Sequence, residues 1–303
     1  FSVVEDDIRD KLAVKREYVL GLATGNSPTG LYRHLAGACN DGRIDPGRIR
    51  TFNLDEYVGL PGENAQQRSL NCESYSYFMI RQLFGLMDRP FIETNVPWGT
   101  LIDQQELERA LDEHPDDYRV DGSDKGKAIV IRPDAGGVLG NIRASILDAY
   151  ERKIEACGGI DLHVVGVGGR GHVAFHESGI PFPGKRVLLV RLDDNTVENA
   201  VADGHFPSVE QSPRYAVSMG AELVYEAAKI VLLANGGRKT GPVAESIFGE
   251  CDCEVPISYG WRMVEAGRHL VYVLDEAAAS EVLARKAEAQ RRGVDIIDMR
   301  DHD

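Results

Sequence analysis

A glycine-rich turn near the middle of the chain carries the residues best suited to acid–base chemistry. Residues 160–167 form an apolar run with the length of a strand buried on both faces, and the glycines that follow lead into His172, His176 and Glu177. Open α/β sheets bind ligands beyond the carboxyl ends of their strands, where glycine lets the backbone approach a ligand closely. The stretch therefore predicts a site in which an imidazole and a carboxylate transfer protons. The alternative is a structural turn, with His172 making a hydrogen bond and Glu177 on the solvated surface.

A pair of adjacent carboxylates, Asp55 and Glu56, follows a second predicted strand at residues 50–54. One of the two could act as a general base if it is partly removed from water, because desolvation raises the pKa of a carboxyl group. In the alternative interpretation the chain makes a turn here, with Asp55 as a cap and Glu56 in solvent.

Two strand–turn–helix segments favour an anion site. The turn 24–30 (Thr-Gly-Asn-Ser-Pro-Thr-Gly) and the turn 235–239 (Asn-Gly-Gly-Arg-Lys) each lie between a predicted strand and a predicted helix. The first N–H groups of a helix lack partners and its macrodipole is positive there, so a phosphate would fit. The first turn matches neither common nucleotide-binding pattern, so a nucleotide is not indicated. The alternative for that turn is an ordinary connection with Ser27 or Thr29 as a helix cap.

The elements around these turns alternate between β and α. Strands are predicted at 18–23, 50–54, 160–167, 186–192, 215–219, 229–234 and 269–274, and helices at 2–17, 31–39, 71–84, 141–156, 221–228 and 276–291. This alternation predicts a single α/β domain over residues 1–303, with a mostly parallel sheet covered by helices. Residues 112–140 are rich in Asp, Gly and Pro and lack a clear period, which indicates a surface insertion with at most a short strand at 128–131.

The composition excludes several classes of function. A net charge of −14, with 43% hydrophobic and 27% charged residues, is typical of a soluble globular protein and argues against a nucleic-acid or acidic-membrane surface. No apolar run has the roughly 20 residues of a membrane span and no leader precedes the first strand, so a cytoplasmic protein is expected. Five cysteines, with only Cys251 and Cys253 close together, predict reduced thiols and no metal site.

Six separated segments, in order along nearly the whole chain, give the sequence a resemblance to a known family. It resembles the glucosamine-6-phosphate deaminase (isomerase) family, within the wider group that includes 6-phosphogluconolactonases. The patterns Asp-Glu-Tyr-Val-Gly-Leu and Gly-His-x-Ala-Phe-x-Glu are specific to the deaminase branch. The segments are Leu-Ala-Thr-Gly-Asn-Ser-Pro-Thr-Gly-Leu-Tyr at 22–32, Phe-Asn-Leu-Asp-Glu-Tyr-Val-Gly-Leu at 52–60, Ser-Tyr-Ser-Tyr-Phe-Met at 74–79, Gly-Ile-Asp-Leu at 159–162 with 168–177, Val-Ser-Met-Gly at 217–220, and Gly-Gly-Arg-Lys at 236–239 followed by Val-Pro-Ile-Ser at 255–258.

The resemblance implies a doubly wound, Rossmann-like fold with helices on both faces, and a reaction that uses no cofactor. In that reaction the ring of a phosphorylated 2-amino sugar opens, and the sugar is isomerised from aldose to ketose by moving a proton from C2. The sugar also loses its amino group as ammonia. Carried over residue by residue, Asp55 resembles the base that takes the C2 proton, His172 the group that opens the ring, and Glu177 the carboxylate coupled to it. The partner would be a small sugar phosphate, and a homo-oligomer is possible. The residues implied to bind the substrate are Thr24, Gly25, Asn26, Ser27, Thr29, Glu56, Gly168, Arg170 and Lys239, with the first turn and Lys239 on the phosphate.

Three departures from the family pattern affect the predicted site. Where the family has an acidic residue two positions before the histidine, this chain has Arg170, and a guanidinium pointing inward would discourage protonation of His172. The family's Asn-Glu-Pro becomes His-Glu-Ser at 176–178. Near residues 195–197 the arginine that usually helps to clamp the phosphate is missing. Arg170 could replace that clamp, or the substrate could differ.

Three hypotheses follow for the function. The first is a deaminase or isomerase acting on glucosamine 6-phosphate or a close relative, supported by Asp55, His172, Glu177 and Lys239. The second is a sugar-phosphate-binding regulator that has kept the fold and lost the chemistry, motivated by Arg170. The third is a 6-phosphogluconolactonase, which is disfavoured because that branch lacks the Phe-x-Glu that follows the histidine.

Overall fold

Residues 1–202 and 204–299 are described by the structure, which is a computed structural model, and they form two sheets. In chain order the strands are β1 (Tyr18–Leu22), β2 (Ile49–Asn53), β3 (Asp55–Val58), β4 (Glu93–Asn95), β5 (Tyr118–Ser123), β6 (Gly126–Ile131), β7 (Leu162–Gly166), β8 (Val187–Arg191), β9 (Tyr215–Met219), β10 (Lys229–Ala234) and β11 (His269–Leu274). In the described part of the chain, one sheet has six strands in the order β11-β10-β7-β1-β2-β4, and all its neighbouring pairs are parallel.

Helices cover both faces of the parallel sheet. In chain order the helices are α1 (Ser2–Val14), α2 (Thr29–Asn40), α3 (Ala65–Ser69), α4 (Tyr75–Gln82), α5 (Gln104–Glu113), α6 (Gly137–Ile142), α7 (Asp148–Ala156), α8 (Asp194–Ala202), α9 (Ala221–Val224), α10 (Thr240–Phe248), α11 (Gly260–Glu265), α12 (Glu276–Ala284) and α13 (Lys286–Arg291). Of these, α5, α6 and α8 pack against strands outside the parallel sheet. Each face of the parallel sheet has its own hydrophobic core, and the side chains of β1 alternate between the two. Tyr18 and Leu20 pack with α1 and α2, whereas Val19 packs with α7, α10 and α12. The predicted α/β fold with a parallel sheet between helices is confirmed.

The strand order places a crevice at the middle of this sheet. From β1 the chain adds β2 and β4 on one side, and from β7 it adds β10 and β11 on the other. The order therefore reverses between β1 and β7, which are parallel neighbours. Ligands of open α/β sheets bind at such a reversal, beyond the carboxyl ends of the strands.

A second, antiparallel sheet in the order β3-β9-β8-β6-β5 was not expected from the sequence. It changes the interpretation of residues 112–140, which contain the hairpin β5–β6 and not a loop with one short strand. The hairpin is difficult to recognise because β5 is an edge strand, with Val120 52% exposed, and none of its residues is buried. Its partner β6 buries Ala128, Ile129 and Ile131 in two separate cores.

Several predicted helices differ in their bounds from the observed ones. The helix expected at 141–156 begins at Gly137 and contains a π-helical turn, Arg143–Leu147, between α6 and α7. The helix expected at 276–291 is interrupted at Arg285, between α12 and α13. Within residues 1–202 and 204–299, none of the helices has both the length and the apolar character that crossing a bilayer requires.

Candidate active site

The carboxyl ends of four neighbouring strands bring the predicted site segments to one edge of the parallel sheet. In sheet order, β10 leads into residues 235–239, β7 into 167–177, β1 into 23–29 and β2 into 54–56. The four segments come from distant parts of the sequence, but the parallel register aligns their starting points. The predicted acid–base residues and the predicted phosphate turns therefore share the crevice between β1 and β7.

Asp55 and Glu56 are both buried, but they face different surroundings. They begin β3, where successive side chains point to opposite faces. The carboxylate of Glu56 is fully engaged at the start of α4, where it accepts hydrogen bonds from the backbone N–H groups of Tyr75 and Ser76 and from the Ser74 and Ser76 hydroxyls at 2.7 to 3.1 Å. Glu56 therefore anchors the start of α4, and its carboxylate oxygens already have hydrogen-bond partners within the protein.

Asp55 is the chemically available member of the pair. It is 6% exposed, and its Oδ1 is buried with no hydrogen-bond partner among the described residues. Burial, assisted by the nearby charge of Glu56, raises the pKa of Asp55 to about 8. The side-chain oxygen of Asn53, two residues earlier, is likewise buried without a partner in the described part. An unpartnered buried carboxyl group in a ligand crevice is typical of a catalytic acid or base.

His172 lies directly against Gly168. A Cβ atom built on Gly168 would be 2.0 Å from Nε2 of His172, so the ring occupies the space that any other side chain at 168 would need. The Gly168 amide donates to the His172 carbonyl at 3.0 Å, which closes the turn. Loss of hydration, together with the positive charges of Lys239 and Arg170, lowers the pKa of His172 to about 4. The imidazole is therefore neutral at pH 7 and can accept a proton.

Glu177 is held through one carboxylate oxygen. Its Oε2 accepts a hydrogen bond from the Asp193 amide at 2.8 Å, whereas Oε1 is buried without a hydrogen-bond partner among the described residues. Burial raises the pKa of Glu177 to about 7, against the opposing effect of hydrogen bonds from Thr196 and the Asp193 amide. No hydrogen bond links Glu177 to His172 in the described structure, so their predicted coupling stays a prediction.

The backbone between His172 and Glu177 is unusual. Ala174 has φ of +51°, and it is the one residue other than glycine with positive φ in the described part of the chain. Such a conformation is uncommon for a residue with a Cβ atom and tends to occur at functional sites. The next residue, Phe175, donates its amide to the Ser218 hydroxyl at 2.9 Å, and Ser218 is the register partner of Asp55 across β3 and β9. This contact ties the histidine turn to the strand of Asp55.

His176 has a structural role. It is fully buried, with Nε2 2.9 Å from the Ile180 carbonyl and Nδ1 accepting a hydrogen bond from the Ala221 amide at 3.1 Å. Burial also lowers the pKa of His176 to about 4. Both ring nitrogens of His176 have partners within the protein, so its imidazole is engaged in holding the turn.

The two predicted anion turns meet at the crevice. The hydroxyl of Ser27 donates to Oδ1 of Asn235 at 2.9 Å, which joins the turn after β1 to the turn after β10. Neither Ser27 nor Thr29 caps α2: the Thr29 hydroxyl donates to the Asn26 carbonyl, and no side chain in the described part of the chain caps the helix. The helix N-terminus therefore keeps its positive end for an anion. Lys239 immediately precedes α10, whose N-terminus also lacks a side-chain cap.

Arg170 does not extend freely into the crevice. Its guanidinium forms an ion pair with Asp193 at 2.7 Å, and its side chain is 42% exposed. The positive charge that the sequence suggests for a phosphate clamp is therefore already paired with a carboxylate of the same chain. The contribution of Asp193 was missed, because its backbone amide carries the contact with Glu177 and a sequence gives no signal for that.

The hairpin β5–β6 also reaches the site. A Cβ atom built on Gly126 would lie 2.6 Å from Cβ of Glu177, and the buried Lys185 forms an ion pair with Asp121 at 2.8 Å. Among the described residues, no group of three or more His, Cys, Asp or Glu side chains is arranged to hold a metal ion. The site is therefore built from a crevice of the parallel sheet and one end of the antiparallel sheet.

Comparisons with known proteins place this geometry in context. No family model matches the chain. The chain is 32% identical over 275 residues to a glucosamine-6-phosphate deaminase of Clostridium botulinum (strain Loch Maree / Type A3), a match that covers 91% of each protein. It is 31% identical over 275 residues to a glucosamine-6-phosphate deaminase of Clostridioides difficile (strain 630), covering 91% of this chain and 89% of the relative.

Solved structures give the same picture of the fold. A structure described as a monomeric glucosamine-6-phosphate deaminase superposes with a TM-score of 0.65 at 24% identity and covers 92% of both chains. A 6-phosphogluconolactonase from Thermotoga maritima superposes with a TM-score of 0.55 at 16% identity, covering 90% of this chain and 93% of that one. The structural matches show a shared fold, and the sequence matches, which extend over nine-tenths of the chain, show that it belongs to the glucosamine-6-phosphate deaminase family.

Proposed function

We propose that this protein converts an amino-sugar phosphate, glucosamine 6-phosphate or a close relative, to a ketose phosphate and ammonia. The observation that carries this proposal is the state of Asp55, whose buried Oδ1 has no hydrogen-bond partner among the described residues. A carboxyl group left unpartnered in a protein interior is costly, and a ligand group that uses it offsets the cost. With a pKa raised to about 8 by burial, the carboxylate of Asp55 is basic enough to remove a carbon-bound proton.

The other predicted residues supply the remaining steps. The phosphate binds at the turn 24–29 and Lys239, where two helix N-termini and a cation favour an anion. Neutral His172 takes the proton of the anomeric hydroxyl and returns a proton to the ring oxygen, which opens the sugar ring. Asp55 then removes the C2 proton and delivers it to C1, while a proton from the nitrogen passes to the C1 oxygen, which leaves a ketimine at C2. Water hydrolyses this ketimine to the ketose and releases ammonia. Glu177, with a pKa near 7, serves as the proton reservoir for His172.

The test is an assay of ammonia and ketose phosphate formed from a panel of amino-sugar phosphates. We expect both products, in equal amounts, from glucosamine 6-phosphate or from a close relative in the panel. A folded protein that releases neither product from any of them contradicts the proposal.

A second candidate function is a sugar-phosphate-binding regulator, favoured by the cation at Arg170 where the family has an acidic residue. Binding of glucosamine 6-phosphate in calorimetry, without release of ammonia, would support it. A 6-phosphogluconolactonase is a weaker third candidate. It would hydrolyse 6-phosphogluconolactone and leave amino-sugar phosphates unchanged.

The pH dependence of kcat/KM follows from the raised pKa of Asp55. A general base must be deprotonated, and in the free protein this carboxyl group loses its proton only near pH 8. We expect kcat/KM to rise close to tenfold per pH unit from about pH 6 and to level off above about pH 8. A steady-state pH profile checks this, and a profile that is flat from about pH 5 upward would assign the base to a group with an ordinary carboxyl pKa.

Gly126→Ala tests the contact between the hairpin and Glu177. The new methyl group would lie 2.6 Å from Cβ of Glu177 and 3.0 Å from the Ser178 carbonyl, so the segment that carries Glu177 must move. We expect kcat/KM to fall by about tenfold or more, because small displacements of catalytic groups are costly. Gly37→Ala is the matched control, since a methyl group there lies within α2 and meets no atom of the described residues within 4 Å. Equal activity of the two variants would show that the hairpin does not position Glu177.

A further inference from the structure

Three contacts form a closed circuit around Glu177. Nη1 of Arg170 donates to Oδ2 of Asp193 at 2.7 Å, and the backbone amide of Asp193 donates to Oε2 of Glu177 at 2.8 Å. The hydroxyl of Ser178, next to Glu177 in the chain, donates back to the carbonyl of Arg170 at 3.3 Å. The circuit joins the turn after β7 to the junction between β8 and α8, and Glu177 lies between these two segments.

The ion pair in this circuit differs from an ordinary surface pair. The side chain of Asp193 is only 9% exposed, although that of Arg170 is 42% exposed. A carboxylate with so little access to water needs a partner charge, because an unpaired buried charge is strongly unfavourable. The Asp193 carbonyl also accepts the first hydrogen bond of α8, from Val197 at 3.1 Å. The pair therefore fixes the residue whose amide holds Glu177.

This geometry decides between two roles for Arg170. A residue that clamps a substrate anion supplies unpaired positive charge, whereas the charge of Arg170 is already paired, through Nη1, with the little-exposed carboxylate of Asp193. We infer that Arg170 and Asp193 form a latch, defined as this ion pair, which positions Glu177 for proton transfer without contacting the substrate. The inference deepens the proposed function and rests on it. Arg170 and Asp193 are thus positioning residues, and Glu177 is the group that they position.

The latch has an electrostatic signature that a purely mechanical support lacks. Besides burial and the hydrogen bonds from Thr196 and the Asp193 amide, the negative charge of Asp193 raises the pKa of Glu177 and the positive charge of Arg170 lowers it. Removing Arg170 should therefore raise the pKa of Glu177, and removing the Asp193 carboxylate should lower it. Both changes should nevertheless slow the reaction, because each releases the same segment.

The experiment compares Arg170→Ala, Asp193→Ala, the double variant and the charge-swapped Arg170→Asp/Asp193→Arg protein, with glucosamine 6-phosphate as substrate. We expect each single variant to lose about 10-fold to 100-fold in kcat with little change in KM. The double variant should be no slower than the slower single variant, and the swapped pair should recover part of the loss. Asp194→Ala is the matched control, because Asp194 belongs to the same junction, pairs with Arg214 at 3.3 Å and is 87% exposed.

A second measurement keeps the latch testable apart from the activity. The Glu177 carboxyl group is titrated by carbon-13 NMR in each protein, with Glu177→Gln identifying its signal. A raised pKa of Glu177 in Arg170→Ala and a lowered pKa in Asp193→Ala support the latch even if no amino-sugar phosphate is turned over. In that case only the proposed function fails. The latch is overturned if the wild type is active and both single variants match it, or if Arg170→Ala raises KM steeply while Asp193→Ala does not.

Discussion

The Asp55→Asn variant is expected to lose at least about a thousandfold in kcat/KM on glucosamine 6-phosphate while still binding it. The amide has nearly the shape of the carboxylate but cannot accept the C2 proton. Steady-state kinetics measure the loss, and calorimetry with the substrate measures the retained binding. An Asn variant with activity within about tenfold of the wild type would show that another group is the base.

The same substitution should stabilise the fold at alkaline pH. Because the folded pKa of Asp55 is raised from 3.8 to about 8, its contribution to stability is fully present below about pH 4 and is lost as the pH rises towards 8. The Asn variant escapes this loss, so its free energy of unfolding at about pH 9 should exceed that of the wild type by roughly 2–5 kcal/mol. Denaturant unfolding of both proteins at about pH 4 and about pH 9 provides the measurement. Glu56→Gln is the contrasting variant and should be less stable than the wild type at both of these pH values, since the Glu56 carboxylate accepts hydrogen bonds at the start of α4.

Gly168→Ala is expected to reduce kcat by about a hundredfold or more, because the added methyl group would occupy the place of the His172 ring. The distance of 2.0 Å to Nε2 is far inside van der Waals contact, so the imidazole must leave its position. Steady-state kinetics measure the loss, and NMR of the imidazole resonances follows the displaced ring.

Gly169→Ala supplies the control for this prediction. It introduces the same chemical change one residue later, where a Cβ atom meets no atom of residues 1–202 and 204–299 within 4 Å and the backbone φ is not positive. Its kcat should stay close to that of the wild type. If both variants retain activity, His172 does not open the ring from its present position.

The parallel sheet could be predicted from the sequence because its inner strands are buried on both faces. Such strands appear as continuous apolar runs, and β10 has the predicted bounds. The edge strand β11 also has the predicted bounds, because its apolar residues form a continuous run although they are only partly buried. The antiparallel sheet is harder to recognise for two physical reasons. Its edge strand β5 buries none of its residues, and β3 is fully buried although it contains two carboxylates, so an apolar period cannot reveal β3.

The site was predictable as a set of segments and not as a set of contacts. Strand ends and glycine turns indicate that Asp55, His172 and the two anion turns meet at the same sheet edge. They do not distinguish Asp55 from Glu56, because that difference arises from the alternation of β3 and from the distant helix α4. Nor do they pair Arg170 with Asp193, because the pair joins the segment after β7 to the segment after β8.

The proton transfer at C2 can be measured directly by incubating glucosamine 6-phosphate with the protein in deuterium oxide and following the C2 hydrogen by NMR. We expect the wild type to introduce deuterium into the recovered sugar phosphates, and the Asp55→Asn variant to introduce none above the uncatalysed rate. Exchange that survives in Asp55→Asn would contradict the assignment of Asp55 as the base. Absence of exchange with the folded wild type, together with no ammonia, would contradict the isomerase chemistry itself.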